Sequence, residues 1–178
     1  MLRPPEQIDT PRLLLRQTAV TDADAIFNTY AQDQEVARYM IWQAHKTIAD
    51  TNTFLERCVD AWKQATAFPW VIIRKEDNAL IGMFELRIMQ HRAELGYVLA
   101  RSYWGQGLVP EAASHVMRWI STQSSIYRTW AICDVENKAS ARVLEKIGMQ
   151  LEGTLYRWDV HPNISMEPRD CYCYALCK

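Results

Sequence analysis

The chain has 178 residues, 49% hydrophobic and 23% charged, with a formal net charge of −1. This length and apolar share suit a single globular domain over residues 1–178, with a core that needs no disulfide or metal staple. Acids and bases are interspersed without a basic block, which argues against binding along a nucleic-acid backbone.

The opening residues, Met1-Leu2-Arg3-Pro4-Pro5-Glu6, contain no apolar stretch and so no signal peptide. No window approaches the roughly 18 apolar residues of a membrane span, so the expectation is a chain without membrane attachment, resident in the cytoplasm. Leu13-Leu14-Leu15-Arg16 suits a first strand. Thr21-Asp22-Ala23-Asp24 reads as a helix start with a capping hydroxyl, and Ala25, Ile26 and Tyr30 continue at helical spacing. From Thr47 to Thr66 the positions Ile48, Phe54, Leu55, Val59 and Trp62 predict an amphipathic helix. Trp70-Val71-Ile72-Ile73 and Leu80 to Leu86 then form a hairpin about the polar turn Glu76-Asp77-Asn78, and Ala93 to Leu99 adds another strand. Pro110, at the first helical position, and Glu111 beside it mark the start of a helix carrying Ala113, Val116, Met117 and Ile120. A strand from Tyr127 to Asp134, a helix from Asn137 to Ile147 stopped by Gly148, and two closing strands complete the order. An α/β (α+β) fold follows, with a mixed central sheet of about seven strands flanked by about four helices.

Five cysteines form no CxxC pair, and Cys171, Cys173 and Cys177 share a parity that on a strand turns all three to one buried face. His45, His91, His115 and His161 show no ligand spacing and no paired nucleophile, so no metal site is expected. Most of the seven tryptophans are expected to pack in the core.

Trp104-Gly105-Gln106-Gly107-Leu108-Val109 carries the chemistry of the chain. A glycine-rich loop that runs into a helix N-terminus points several backbone N–H groups at one spot, and phosphate fits there. The glycines allow close approach. Neither a GKS/GKT sequence nor the third glycine of a dinucleotide loop is present, which leaves a site for a pyrophosphate that is not hydrolysed.

With its surroundings, this loop resembles the GNAT superfamily of N-acetyltransferases, in particular the branch of the RimJ and RimL ribosomal-protein acetyltransferases. Thr10-Pro11-Arg12-Leu13-Leu14-Leu15-Arg16 looks like that branch's opening strand. Trp104 to Gly107 with Glu111-Ala112 looks like its coenzyme A pyrophosphate loop. Asn137-Lys138-Ala139-Ser140, continuing to Met149, looks like its second cofactor motif. Glu152 to Arg157, followed by Asp170 and Tyr172, looks like its C-terminal strands. The four stretches come in the family's order and span nearly the whole chain. The resemblance implies a mostly antiparallel sheet and acetyl-CoA as co-substrate, held by Tyr97, Val98, Leu99, Trp104, Gly105, Gln106, Gly107, Leu108, Val109, Asn137 and Ser140. The backbone N–H groups of Tyr97, Val98 and Leu99 would face its pantetheine and acetyl oxygen.

Acylating an amine requires loss of the ammonium proton, polarisation of the thioester and protonation of the departing thiolate. The resemblance makes Glu94, just before Gly96, the first candidate for general base, acting directly or through water, with Glu85 on the neighbouring strand second. Many superfamily members protonate the thiolate with a tyrosine where this chain has Leu144, and Ser140 is the nearest substitute hydroxyl. Val109, where the family has glycine or alanine, would tighten the loop, and Pro110 removes one N–H donor. The acceptor is a protein N-terminal α-amine or a small-molecule amine. The sequence shows no acidic cluster for a polycation and no basic one for an anionic acceptor. Trp42 falls in the region that borders the acceptor cleft in relatives. A non-catalytic module that holds acyl-CoA is the alternative, supported by the missing tyrosine. Pairing of two copies through the outer strands would make a homodimer.

Overall fold

In the computed structural model, which describes residues 2–178, the apolar runs form eight strands. They are β1 (Gln7–Asp9), β2 (Leu13–Gln17), β3 (Phe68–Arg74), β4 (Ala79–Met89), β5 (Arg92–Leu99), β6 (Arg128–Asp134), β7 (Gln150–Val160) and β8 (Pro168–Cys177). They make one sheet in the order β1-β2-β3-β4-β5-β6-β8-β7, antiparallel throughout except for β5 beside β6. The five α-helices are α1 (Ala23–Ile26), α2 (Gln34–Ala37), α3 (Ile48–Gln64), α4 (Leu108–Ser121) and α5 (Lys138–Lys146).

The mixed, mostly antiparallel sheet agrees with the sequence reading, which lacks one strand and one helix. β1 is three residues at the sheet edge, and Gln-Ile-Asp is too short to show alternation. The four-residue α2 exists through its cap, since Asp33 Oδ1 accepts from Glu35 N at 2.9 Å and Val36 N at 3.4 Å. Thr21 does not cap the first helical turn. The buried Asp22 carboxylate does, accepting from Ala19 N at 2.9 Å while Arg16 pairs with it at 2.5 Å.

The sheet is covered on both faces. Val71, Ile73, Leu80 and Met83 pack against Ile26, Val36 and Leu55 from α1 to α3. The opposite face, with Ile72, Phe84, Leu86 and Leu95, packs mainly against Leu108, Ala112, Val116 and Ile120 of α4 and Leu144 of α5. Only Trp62 and Trp70 of the seven tryptophans are buried; Trp104 and Trp158 are about half exposed. Cys171 and Cys173 are buried but Cys177, the last residue of β8, is exposed.

One departure from regular pairing creates the site. β5 and β6 pair only over Arg92–Glu94 and Arg128–Trp130. Beyond Glu94 the ladder to β6 ends, while β5 stays paired to β4 as far as Leu99. The parting strands leave a gap through the sheet.

Candidate active site

A cavity of about 660 Å³ runs from the glycine loop to the far face of the sheet, lined at the gap by Tyr97, Val98, Ile132 and Cys133. At one end lie Gly105, Gly107, Leu108 and Val109. Gly105 and Gly107 have φ of +75° and +71°, in the left-handed region where a Cβ is strained. Gly107 is the N-cap of α4, so the helix begins at Leu108 and Pro110 is its third residue rather than its first. The first return bond within α4 is Glu111 N–H to Gly107 C=O at 3.2 Å. The N–H groups of Gly105 to Val109 have no acceptor among the described residues, while Pro110 offers none. That is a cradle of donors at a helix start, the chemistry a pyrophosphate requires. The Val109 side chain is turned into the core and is 6% exposed.

The loop is anchored from outside. Arg12 donates to the carbonyls of Gln106 at 3.0 Å and Gly107 at 3.3 Å, and pairs with Glu111 at 2.6 Å. Glu111 also accepts from Thr10 Oγ1 at 2.6 Å and from Arg12 N at 2.8 Å. Trp104 Nε1 donates to Leu99 C=O at 2.7 Å, tying the loop to the end of β5. Gln106 turns its side chain back onto Ser102 C=O at 3.0 Å.

At the gap, Ala100 N–H donates to Ile81 C=O. Backbone groups alternate sides along a strand, so Tyr97 and Leu99 face the gap with their N–H groups and Val98 faces β4. Val98 therefore lines the cavity with its side chain and not, as the sequence reading had it, with its N–H. Asn137 caps α5, its Oδ1 accepting from Ser140 N at 3.1 Å. Ser140 Oγ lies 2.7 Å from Tyr97 Oη, a side-chain role the sequence reading missed because it used Tyr97 for its backbone alone. Burial pushes the Tyr97 phenol well above its usual range, so it keeps its proton. Leu144, where a tyrosine was wanted, is fully buried in the core.

Beyond the gap the cavity holds carboxylates. Register pairs Arg87 with Glu94 and Glu85 with Gly96, so Glu85, Arg87 and Glu94 share one face. Burial raises both glutamates above the usual carboxylate range, and Arg87 opposes this in each case. Glu85 is ion-paired to Arg87 at 2.6 Å, whereas Glu94 has no ion pair among the described residues. Asp159, absent from the sequence reading, joins them, also raised by burial. It arrives through a bulge in which Tyr156, Arg157 and Trp158 stand opposite Asp170 alone. Arg157 has φ +48° there, and its N–H donates to Asp170 Oδ1 at 2.9 Å. No spacing in the sequence announces such a bulge, so the acidic cluster it completes is invisible there.

His161 is 4% exposed and lies 3.8 Å from Cys171 Sγ, so one histidine does meet a thiol. The thiol is not activated: burial pushes Cys171 up to about 12 and Cys133 up to about 11. No metal-binding group of His, Cys, Asp and Glu occurs among the described residues, and no described helix is long and apolar enough to cross a membrane.

A family model described as the acetyltransferase (GNAT) domain matches residues 12–150. The uncharacterized N-acetyltransferase YoaA of Bacillus subtilis (strain 168) is 30% identical over 174 residues, 96% of each chain. A solved acetyltransferase (GNAT family) from Bacillus anthracis superimposes with a TM-score of 0.82 at 31% identity, covering 96% of this chain and 98% of that one. RimL, the ribosomal L7/L12 alpha-N-protein acetyltransferase, solved with coenzyme A, gives a TM-score of 0.85 at 20% identity over 97% and 98% of the two chains.

Proposed function

The chain belongs to the GNAT acetyltransferases, and on that premise we propose that it moves the acetyl group of acetyl-CoA directly onto a primary amine, with Glu94 as general base. The observation that carries this reading is the single cavity joining a phosphate cradle to a carboxylate cluster through the β5/β6 gap. The two substrates meet in that gap, each from its own side.

The N–H groups of Gly105 to Val109 hold the pyrophosphate, Arg12 fixing the loop from behind. The thioester end passes Asn137 and Ser140 and lies against the backbone of β5. Glu94, free of an ion pair and raised by burial, takes the ammonium proton directly or through water. The amine nitrogen then attacks the carbonyl carbon, and the N–H groups of Tyr97 and Leu99 stabilise the oxyanion that forms. The oxyanion then collapses and the C–S bond breaks, and the proton that the newly bonded nitrogen still has to shed passes to the departing thiolate, leaving a neutral amide and the free thiol of coenzyme A. Ser140, held by Tyr97, donates a hydrogen bond to the departing sulfur. A free thiol has a pKa of about 8.5, so a hydrogen bond is enough help for this leaving group. Glu85, tied to Arg87, takes second place as base.

Direct transfer is favoured over an acetyl-cysteine intermediate because both cavity thiols are held protonated. A module that only holds acyl-CoA is not favoured, since it has no use for a desolvated carboxylate facing the cofactor. The test is thiol release from acetyl-CoA with a panel of amines, comparing wild type with Glu94→Gln. Amine-dependent release that falls at least about 100-fold in the variant supports the reading. Undiminished release removes Glu94 from the role.

A further inference from the structure

Two loops beside the acceptor end of the cavity are tied together. Asn163, in the connection between β7 and β8, donates to the carbonyls of Ala37 and Trp42 at 2.7 Å each. Its Oδ1 accepts from Ala44 N at 3.2 Å. One side chain thus ties together the two segments that bank the chamber, Tyr39 to His45 on one side and Asp159 to His161 on the other. A polypeptide N-terminus needs an open path for the chain that follows it. A compact molecule does not.

The lining is selective in a second way. Trp42, His45 and Phe54 form an aromatic row with centroid separations of 5.4 and 5.9 Å, continued by Ile26, Met40 and Met83. Against this apolar wall stand Glu35, Glu85, Glu94 and Asp159, offset by Arg38 and Arg87. Two deeply buried groups in the same lining lack a protein partner among the described residues, Tyr30 Oη and His161 Nδ1, in residues 2% and 4% exposed. Buried polar atoms without partners are rare, and these two belong to residues of the chamber wall.

We propose that the acceptor is a compact primary amine with one cationic nitrogen on an apolar, aromatic body, and that the Asn163 bridge excludes polypeptide termini. The ammonium meets the carboxylates and the flat body meets the aromatic row, a contact that an aliphatic polyamine cannot match over the same area. The inference rests on the acyl-transfer reading above for its chemistry, but binding tests it independently.

The experiment uses the full chain loaded with coenzyme A and three probes: phenethylamine, spermidine and a lysine-free peptide with a free N-terminal serine. Calorimetry gives their affinities, and acetyl-CoA-dependent rates give kcat/KM. Phenethylamine is expected to lead both others by at least about tenfold in each. Asn163→Ala, checked for folding by its melting curve, should raise the peptide-to-phenethylamine ratio by about tenfold with acetyl-CoA affinity unchanged. Trp42→Ala is the second variant and should weaken phenethylamine alone. Peptide or spermidine matching phenethylamine in the wild type overturns the proposal, as does a ratio indifferent to Asn163→Ala. If phenethylamine binds selectively but nothing is acetylated, the acceptor class stands and the catalytic reading fails.

Discussion

Tyr97 Oη and Ser140 Oγ lie 2.7 Å apart across the gap between β5 and β6, a phenol from a strand joined by a hydrogen bond to the hydroxyl of a helix's first turn. Losing a hydrogen bond to a developing charge costs about 1.5–3 kcal/mol, so Ser140→Ala should lower kcat by about 10- to 100-fold. Tyr97→Phe should lower it less, since Ser140 keeps its place through the Asn137 cap. Steady-state kinetics decides: an unchanged kcat with a raised KM for acetyl-CoA would make the pair a binding feature only.

The raised carboxylates give a signed dependence on pH. Glu94 must be ionised to accept a proton, and burial lifts it above the usual range, so the acid limb of kcat/KM should sit above the value of about 4.3 for a free glutamate. The same shift bears on stability. Between the unfolded and folded pKa values the folded chain binds more protons, so this carboxylate's contribution to stability falls as pH rises through that window. Glu94→Gln should therefore melt no lower than wild type at pH 7 while losing activity. A drop in melting temperature with activity retained would assign Glu94 to structure.

Arg12 and Glu111 hold the glycine loop from outside the cavity, whose lining includes neither. Arg12→Ala removes two hydrogen bonds to the loop carbonyls and the partner of Glu111. Acetyl-CoA affinity should weaken several-fold with kcat at saturation little altered. Burial works to raise the Glu111 carboxyl, but Thr10 and Arg12 hold it below its usual value. Its folded pKa is depressed, so this contribution is present at neutral pH and lost as pH falls through the folded value. Calorimetry at pH 7 and near pH 4 tests both statements.

Gly107→Trp should abolish coenzyme A binding while leaving the fold. The substitution forces an L-residue into φ +71°, at a cost of about 1–2 kcal/mol, and fills the space before α4. Tight wild-type binding lost in the variant confirms the cradle. Equal binding by both would move the pyrophosphate elsewhere.

Direct transfer predicts no covalent acetyl-enzyme. Intact mass after acetyl-CoA without amine should show the unmodified chain, because Cys133 and Cys171 remain thiols at neutral pH. A single added acetyl group mapped to either cysteine would turn the mechanism to double displacement.

Features set by neighbours in sequence were legible in it. The run of free donors depends on consecutive residues, Gly105 to Val109, and the α5 cap on Asn137 and Ser140 three positions apart, so spacing alone reveals both. The register of β4 and β5 follows from their short turn at Gln90, where φ is +56°. Pro110 misled by two positions because the left-handed Gly107 starts α4 early.

What the sequence by itself determined was the mixed sheet, the glycine loop ahead of α4 and the pair of glutamates on adjacent strands. Only the tertiary structure decided that Asp159 joins them, that Tyr97 hydrogen-bonds Ser140, and that Asn163 ties the connection between β7 and β8 to Ala37, Trp42 and Ala44. Asp159 lies 65 positions from Glu94 in the chain, Tyr97 lies 43 from Ser140, and Asn163 lies 121 from Trp42. Local propensity carries no information over such separations. These groups converge because the β7 bulge, the parting of β5 from β6 and the packing of two loops fix them in space, and each is a choice made by the whole core.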